Sequence, residues 1–165
     1  MNLDVFFFYS FSTLALGGGL LAITRRSAVH AALALMISLL GVAGLYLLLQ
    51  AEFLFVSQII IYIGGILLLF LFVIMLVNLD AGKGLRQFHK NWPLGAAVTV
   101  LTGLALAVLL SRAQLPPAQQ MPSTGNVELI ADTLFQDYLV PFEVASLLLL
   151  VAVVGSVLLA RKRGA

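Results

Sequence analysis

The chain has 165 residues, 62% of them hydrophobic and only 10% charged, with a net charge of +2 and a mean hydropathy of +1.11. A soluble domain carries about 25% charged residues, so this composition excludes an ordinary soluble enzyme and sets nearly the whole chain against lipid or other apolar helices. The absence of cysteine excludes disulfides, thiolate-ligated iron–sulfur clusters and Cys-type zinc sites.

Five apolar spans follow in order: residues 5–24, 28–49, 53–79, 93–110 and 139–160. Each is near the ~20 residues that cross a hydrocarbon core at 1.5 Å per residue. The expected fold is therefore an all-α integral membrane protein with five transmembrane helices, in a single membrane domain spanning residues 1–165. The first span follows Asp4 rather than a positive region and is read as an uncleaved first helix. Its Gly17-Gly18-Gly19 run suits close packing or a flexible point. The second span carries Ala31, Ala34, Ser38 and Gly41 on one stripe, a small-residue contact face. A short Gln50-Ala51-Glu52 turn makes the second and third spans antiparallel neighbours.

The third span runs roughly 27 residues, Phe53 to Leu79, without a charged side chain. Fully helical it would reach about 40 Å, so it must tilt, extend beyond the core or contain an irregularity. At its middle stands Ser57-Gln58-Ile59-Ile60-Ile61-Tyr62-Ile63-Gly64-Gly65. Regular α spacing puts Gln58, Tyr62, Gly65 and Leu69 on one face. A Gln amide and a Tyr hydroxyl in hydrocarbon need partners. The two glycines lower the cost of leaving regular geometry, and π-bulges inside helices are frequent at functional sites. Close helix packing accounts for the same residues and is the simpler reading from composition alone; the π-bulged form stays open beside it.

Between the fourth and fifth spans lies an outer loop, residues 111–138. Its first half, Pro116 to Ser123, has linker composition. In its second half Val127, Ile130, Leu134 and Tyr138 recur at the spacing of a short amphipathic helix. The basic residues set orientation. Arg25 and Arg26, then Lys83, Arg86 and Lys90, then Arg161, Lys162 and Arg163 occupy alternate connections, leaving only Arg112 on the other side, so eight of the nine obey one topology. The positive-inside rule puts the N-terminus outside (periplasmic) and the C-terminus in the cytoplasm. The basic excess is thus explained by the membrane, with no nucleic acid partner called for.

Three polar residues near span ends carry weaker functional readings. His30, at the inner end of helix two, suits either a headgroup contact or a proton relay. Glu143, after Pro141 and Phe142 at the start of helix five, suits the helix macrodipole and could also anchor a subunit or open a proton path. Glu52 reads the same way. His30 and His89 lack metal-ligand spacing, and no phosphate-cradling loop, nucleophile–base pair or dinucleotide fingerprint is present. No Asp, Glu, Lys or Arg lies at mid-depth in any span, whereas proton and ion carriers place titratable groups there. The chain reads as a component with no catalytic or metal site of its own.

The residues resemble subunit J, or chain 6, of the proton-pumping NADH–quinone oxidoreductases (respiratory complex I). The likeness rests on Tyr62, Gly64 and Gly65 followed by Leu69-Phe70-Leu71-Phe72-Val73-Ile74-Met75. It rests also on Ala28-Val29-His30-Ala31-Ala32-Leu33, and on Tyr138-Leu139-Val140-Pro141-Phe142-Glu143 with Gly155 beyond. Departures occur at Ala28, where relatives commonly carry Pro, at Gly65, where Ala is common, and at Gln58, where some carry Glu. The resemblance implies a membrane-arm subunit whose third helix switches between regular and π-bulged forms beside the quinone-coupling end. Tyr62, Gly64, Gly65, Phe70 and Met75 would form the gate or proton path, and Glu143, Glu52 and His30 subunit contacts or a path mouth. It further implies no cofactor on this chain, with FMN, iron–sulfur clusters and quinone on other subunits. Its partners would be the quinone-site subunit, the small subunits, the antiporter-like subunits and the bilayer, in a bacterial inner membrane. The alternatives are an equivalent subunit of a hydrogenase, a ferredoxin-dependent oxidoreductase or a multisubunit cation/proton antiporter, a structural scaffold, and a stand-alone transporter, which the missing mid-membrane charges oppose.

Overall fold

The computed structural model describes residues 3–77, 92–113 and 126–161, and no strand occurs among them. The expectations that rest on Lys83, Arg86, His89 and Lys90, on Pro116 to Ser123, and on Lys162 and Arg163 lie outside the described residues. The chain divides into two compact units, Met1–Met121 and Pro122–Ala165. Among the described residues five helices are long and apolar enough to cross a membrane: α1 (Leu3–Thr24), α2 (Ala28–Leu48), α3 (Glu52–Leu76), α4 (Trp92–Arg112) and, in the second unit, α6 (Leu139–Ala160). The shorter α5 (Asn126–Gln136) precedes α6.

Small residues bring α1 and α2 together. A Cβ added at Gly18 would lie 2.6 Å from the Ser38 nitrogen, and one at Gly41 would lie 2.5 Å from the Ala15 nitrogen. Backbones this close leave no room for any side chain, which is how helices gain packing in lipid, where no hydrophobic force drives them together. The Ser38 hydroxyl donates across the contact to the Ala15 carbonyl at 2.6 Å. The stripe read from the sequence thus faces α1 through Ala34, Ser38 and Gly41. Ala32 and Ala43 are also buried. At about 100° per residue they fall on the opposite side of α2, the side left for α3, which packs on the same helix.

α2 ends because the backbone turns left-handed at Gln50, where φ is 58°. The Gln50 N–H bonds the Leu47 carbonyl and the Ala51 N–H bonds the Tyr46 carbonyl, both at 3.0 Å. This pair of reversed bonds is the Schellman ending, which normally carries glycine at the left-handed position. It satisfies carbonyls that would otherwise face hydrocarbon or headgroups unpaired, and it lets α3 start at Glu52.

α3 is not one regular helix. Glu52–Ser57 is α-helical, Gln58–Leu67 is π-helical over ten residues, and Leu68–Leu76 is α-helical again. Its apolar side chains are mostly exposed, and every described residue of α4 is exposed.

In the second unit α5 and α6 meet through the Phe135 and Phe142 rings, edge-on at 5.2 Å. The break between them is closed by the Asp137 and Tyr138 N–H groups, which both bond the Thr133 carbonyl. Pro141 sits in the first turn of α6, where its missing N–H costs no intrahelical bond.

Candidate functional site

The π segment sets the geometry of the candidate site. A π-helix closes i→i+5 bonds and so turns roughly 80° per residue instead of the about 100° of an α-helix. Over the nine residues from Gln58 to Leu67, π winding brings the two onto one face, whereas α winding would set them on opposite faces. Gln58 and Leu67 are the buried residues of α3, at 6% and 3% exposure. Gly65, seven residues after Gln58, moves the other way. Regular winding would put it on the Gln58 face; π winding turns it nearly opposite, and it is exposed. Leu69, beyond the π segment, is exposed at 68%. The single face expected for Gln58, Tyr62, Gly65 and Leu69 is therefore not formed, because the angle on which it rested does not hold here.

Polar groups along the helices divide into satisfied and unsatisfied. Ser10, Thr13, Thr99, Thr102 and Ser146 each donate a hydroxyl to the carbonyl four residues earlier, the usual way a hydroxyl is accommodated in an apolar helix. Tyr62 is half-exposed, and its hydroxyl has no hydrogen-bond partner among the described residues. Gly64 and Gly65 differ: a Cβ at Gly64 would stand 3.3 Å from the Ile59 carbonyl oxygen, one at Gly65 an ordinary 3.7 Å from that of Ile60. The tighter position is Gly64.

Phe70 and Met75 lie on the α-helical second half of α3, both well exposed, Met75 at 74%. Glu52 is the exposed first residue of α3, in the turn where the helix dipole favours an acid. His30 is exposed in the first turn of α2, and its Nδ1 lies 3.0 Å from the Ser27 Oγ. Glu143, in the second unit, is exposed one turn into α6. The π segment thus gathers Tyr62, Gly64 and Gly65, with Phe70 and Met75 downstream on the same helix. No group of three or more His, Asp or Glu among the described residues could hold a metal ion. Sequence reasoning missed Leu67 as a buried contact; the available signal was its nine-residue spacing from Gln58, two turns of a π-helix.

Residues 18–159 match the profile of the NADH-ubiquinone/plastoquinone oxidoreductase chain 6 family. The chain belongs to that family. The chain 6 relatives include NADH-quinone oxidoreductase subunit J of Rhodobacter capsulatus, 34% identical over 96% of this chain and 82% of the relative. They include NADH-ubiquinone oxidoreductase chain 6 of Chondrus crispus, 33% identical over 96% of this chain and 83% of the relative. NAD(P)H-quinone oxidoreductase chain 6 of Leptolyngbya boryana is 35% identical over 93% of this chain and 79% of the relative. As a chain 6 protein with five apolar helices of spanning length, the chain is a multi-pass membrane subunit of an NADH–quinone oxidoreductase complex.

Proposed function

We propose that this chain is a membrane-arm subunit through which a proton-translocating NADH:quinone oxidoreductase couples quinone reduction to proton pumping, and that the π segment of α3 is its gate. The observation that carries the reading is the winding itself. Gln58–Leu67 is held in a geometry that buries Leu67 beside Gln58, while return to regular winding would swing Leu67 out and Gly65 in. Such a change rotates everything downstream, Phe70 and Met75 included, relative to whatever borders α3. Apolar bulk placed in a water path closes it; turned aside, it admits water. Tyr62, half-exposed and with a hydroxyl to satisfy, is placed to bond that water or a partner's carboxylate. The titratable groups of the path belong to neighbouring subunits, since this chain has none at mid-depth. So do FMN, the iron–sulfur clusters and the quinone, which leaves this chain a non-catalytic part of the enzyme.

The quinone-site subunit, the small subunits and the antiporter-like subunits are the partners that would cover α4 and the exposed flank of α3. The N-terminus is periplasmic and the C-terminus cytoplasmic in a bacterial inner membrane, an orientation that the distribution of basic residues favours. The names of the relatives given above favour NADH–quinone oxidoreduction over a hydrogenase or a cation/proton antiporter. The test is proton pumping and quinone reduction by the purified, fully assembled complex carrying Tyr62→Phe or Gly64→Val. Both rates are expected to fall, pumping at least as much as reduction. Native rates in both variants overturn the gate and leave a scaffold.

A further inference from the structure

Gln58 poses a problem that the gate does not solve. Its side chain is 94% buried, at 6% exposure, and its amide has no hydrogen-bond partner among the described residues. A buried amide carries two N–H donors and a carbonyl acceptor, and buried polar groups in folded proteins are nearly always satisfied by protein or by ordered water. The protein has little to offer here. The α2 side left for α3 carries Ala32 and Ala43, which present methyl groups only, and Tyr46, whose hydroxyl makes no hydrogen bond to Gln58. Ser38 faces α1, and its hydroxyl is committed to the Ala15 carbonyl. A group from another subunit cannot reach a side chain already enclosed within this one.

The backbone beside Gln58 is irregular as well. Its N–H is shared between the Leu54 and Phe55 carbonyls, and the π segment starts at that residue. Where α winding gives way to a wider turn, carbonyls tilt away from the helix axis and can accept a second bond. We propose that Gln58 is the floor of an internal water site between α2 and α3. In it one buried water bonds the Gln58 amide and backbone carbonyls at the α-to-π junction, and so pins the upstream end of the π segment to α2. The site lies on the Gln58–Leu67 face, nearly opposite Gly65 and about 40° around the helix from Tyr62. It is a fixed structural water, independent of whether α3 acts as a gate.

The test uses the intact complex at a resolution that shows ordered solvent, in native form and as Gln58→Leu, a change close to isosteric that removes every polar atom. Ordered density is expected within hydrogen-bond distance of the native Gln58 amide and is expected to vanish in the variant. The variant complex is also expected to lose activity at a lower temperature, because the remaining partners of the water are left unpaired. An amide bonded directly to a backbone or side-chain group, without solvent density, overturns the proposal. So does a variant whose heat tolerance rises, the sign expected if the native amide were unpaired. If pumping is unchanged in Tyr62→Phe and Gly64→Val while the water is present, the gate fails and the water site stands.

Discussion

Single positions in this protein act through space that a side chain would fill or strain that a side chain creates. Gly64 and Gly65 are adjacent, yet they carry different constraints. A methyl at Gly65 meets an ordinary contact, while one at Gly64 presses on the Ile59 carbonyl across the π turn. That carbonyl lies five residues back, so the crowding belongs to π winding. Gly65→Ala is expected to leave quinone reduction and thermal stability of the assembled complex near native, gaining up to about 1 kcal/mol of helix propensity. Gly64→Ala is expected to disfavour the π form and lower the coupled rate; equal behaviour of the two variants in one assay would remove the distinction. Gln50 is the opposite case. Its left-handed φ of 58° costs a non-glycine residue about 1–2 kcal/mol, and the Schellman bonds around it need the angle but not the side chain. Gln50→Gly removes that strain, about 1 kcal/mol in free energy, and raises the unfolding midpoint of the complex where this exceeds what the Gln50 side chain contributes. A fall would mean that the Gln50 side chain contributes more than its backbone strain removes.

Within a single helix, α3 shows how a change in winding reassigns faces. Leu67 is buried on the Gln58 face in the π form and would stand opposite it in a regular helix, so its burial stabilises the π form alone. Removing that packing is worth about 2 kcal/mol, the low end for a buried leucine, since van der Waals contact rather than hydrophobic transfer operates in lipid. Leu67→Ala is expected to raise the fraction of complexes with a straight third helix, counted by classifying particle images of the assembled enzyme. An unchanged or larger π fraction would show that Leu67 does not hold this geometry. The same helix marks how far the sequence could be read. Apolar length announced five spanning helices, and the spacing of Val127, Ile130 and Leu134 announced α5. Excess length and paired glycines announced an irregularity in the third span. Which residues that irregularity would bury was not legible, because periodicity arguments assume an angle per residue and the angle is what changes between Gln58 and Leu67. No partner for the Tyr62 hydroxyl was legible either, and none occurs among the described residues.

For the whole molecule, the arrangement of charge decides which way the helices cross. In the proposed orientation the Arg25–Arg26 pair between α1 and α2 holds that turn on the cytoplasmic side, by the bias of basic residues toward the inner face. If all five spans cross, that orientation predicts Glu52 and the Glu128, Asp132 and Asp137 group on the outer side and Arg161 on the inner side. The chain contains no cysteine, which makes it a ready template for single-cysteine labelling in the assembled complex. Glu52→Cys and Asp132→Cys are expected to react with a membrane-impermeant maleimide applied to the outer face of intact spheroplasts. Ser27→Cys and Arg161→Cys are expected to react only in inverted vesicles. All four residues are exposed in this chain, and labelling after solubilisation identifies any that a neighbouring subunit covers. The reverse pattern at the sites that label would invert the topology. It would also place the wide turn of α3 against the opposite halves of its partners, so the gate would have to be assigned to a different set of neighbouring groups.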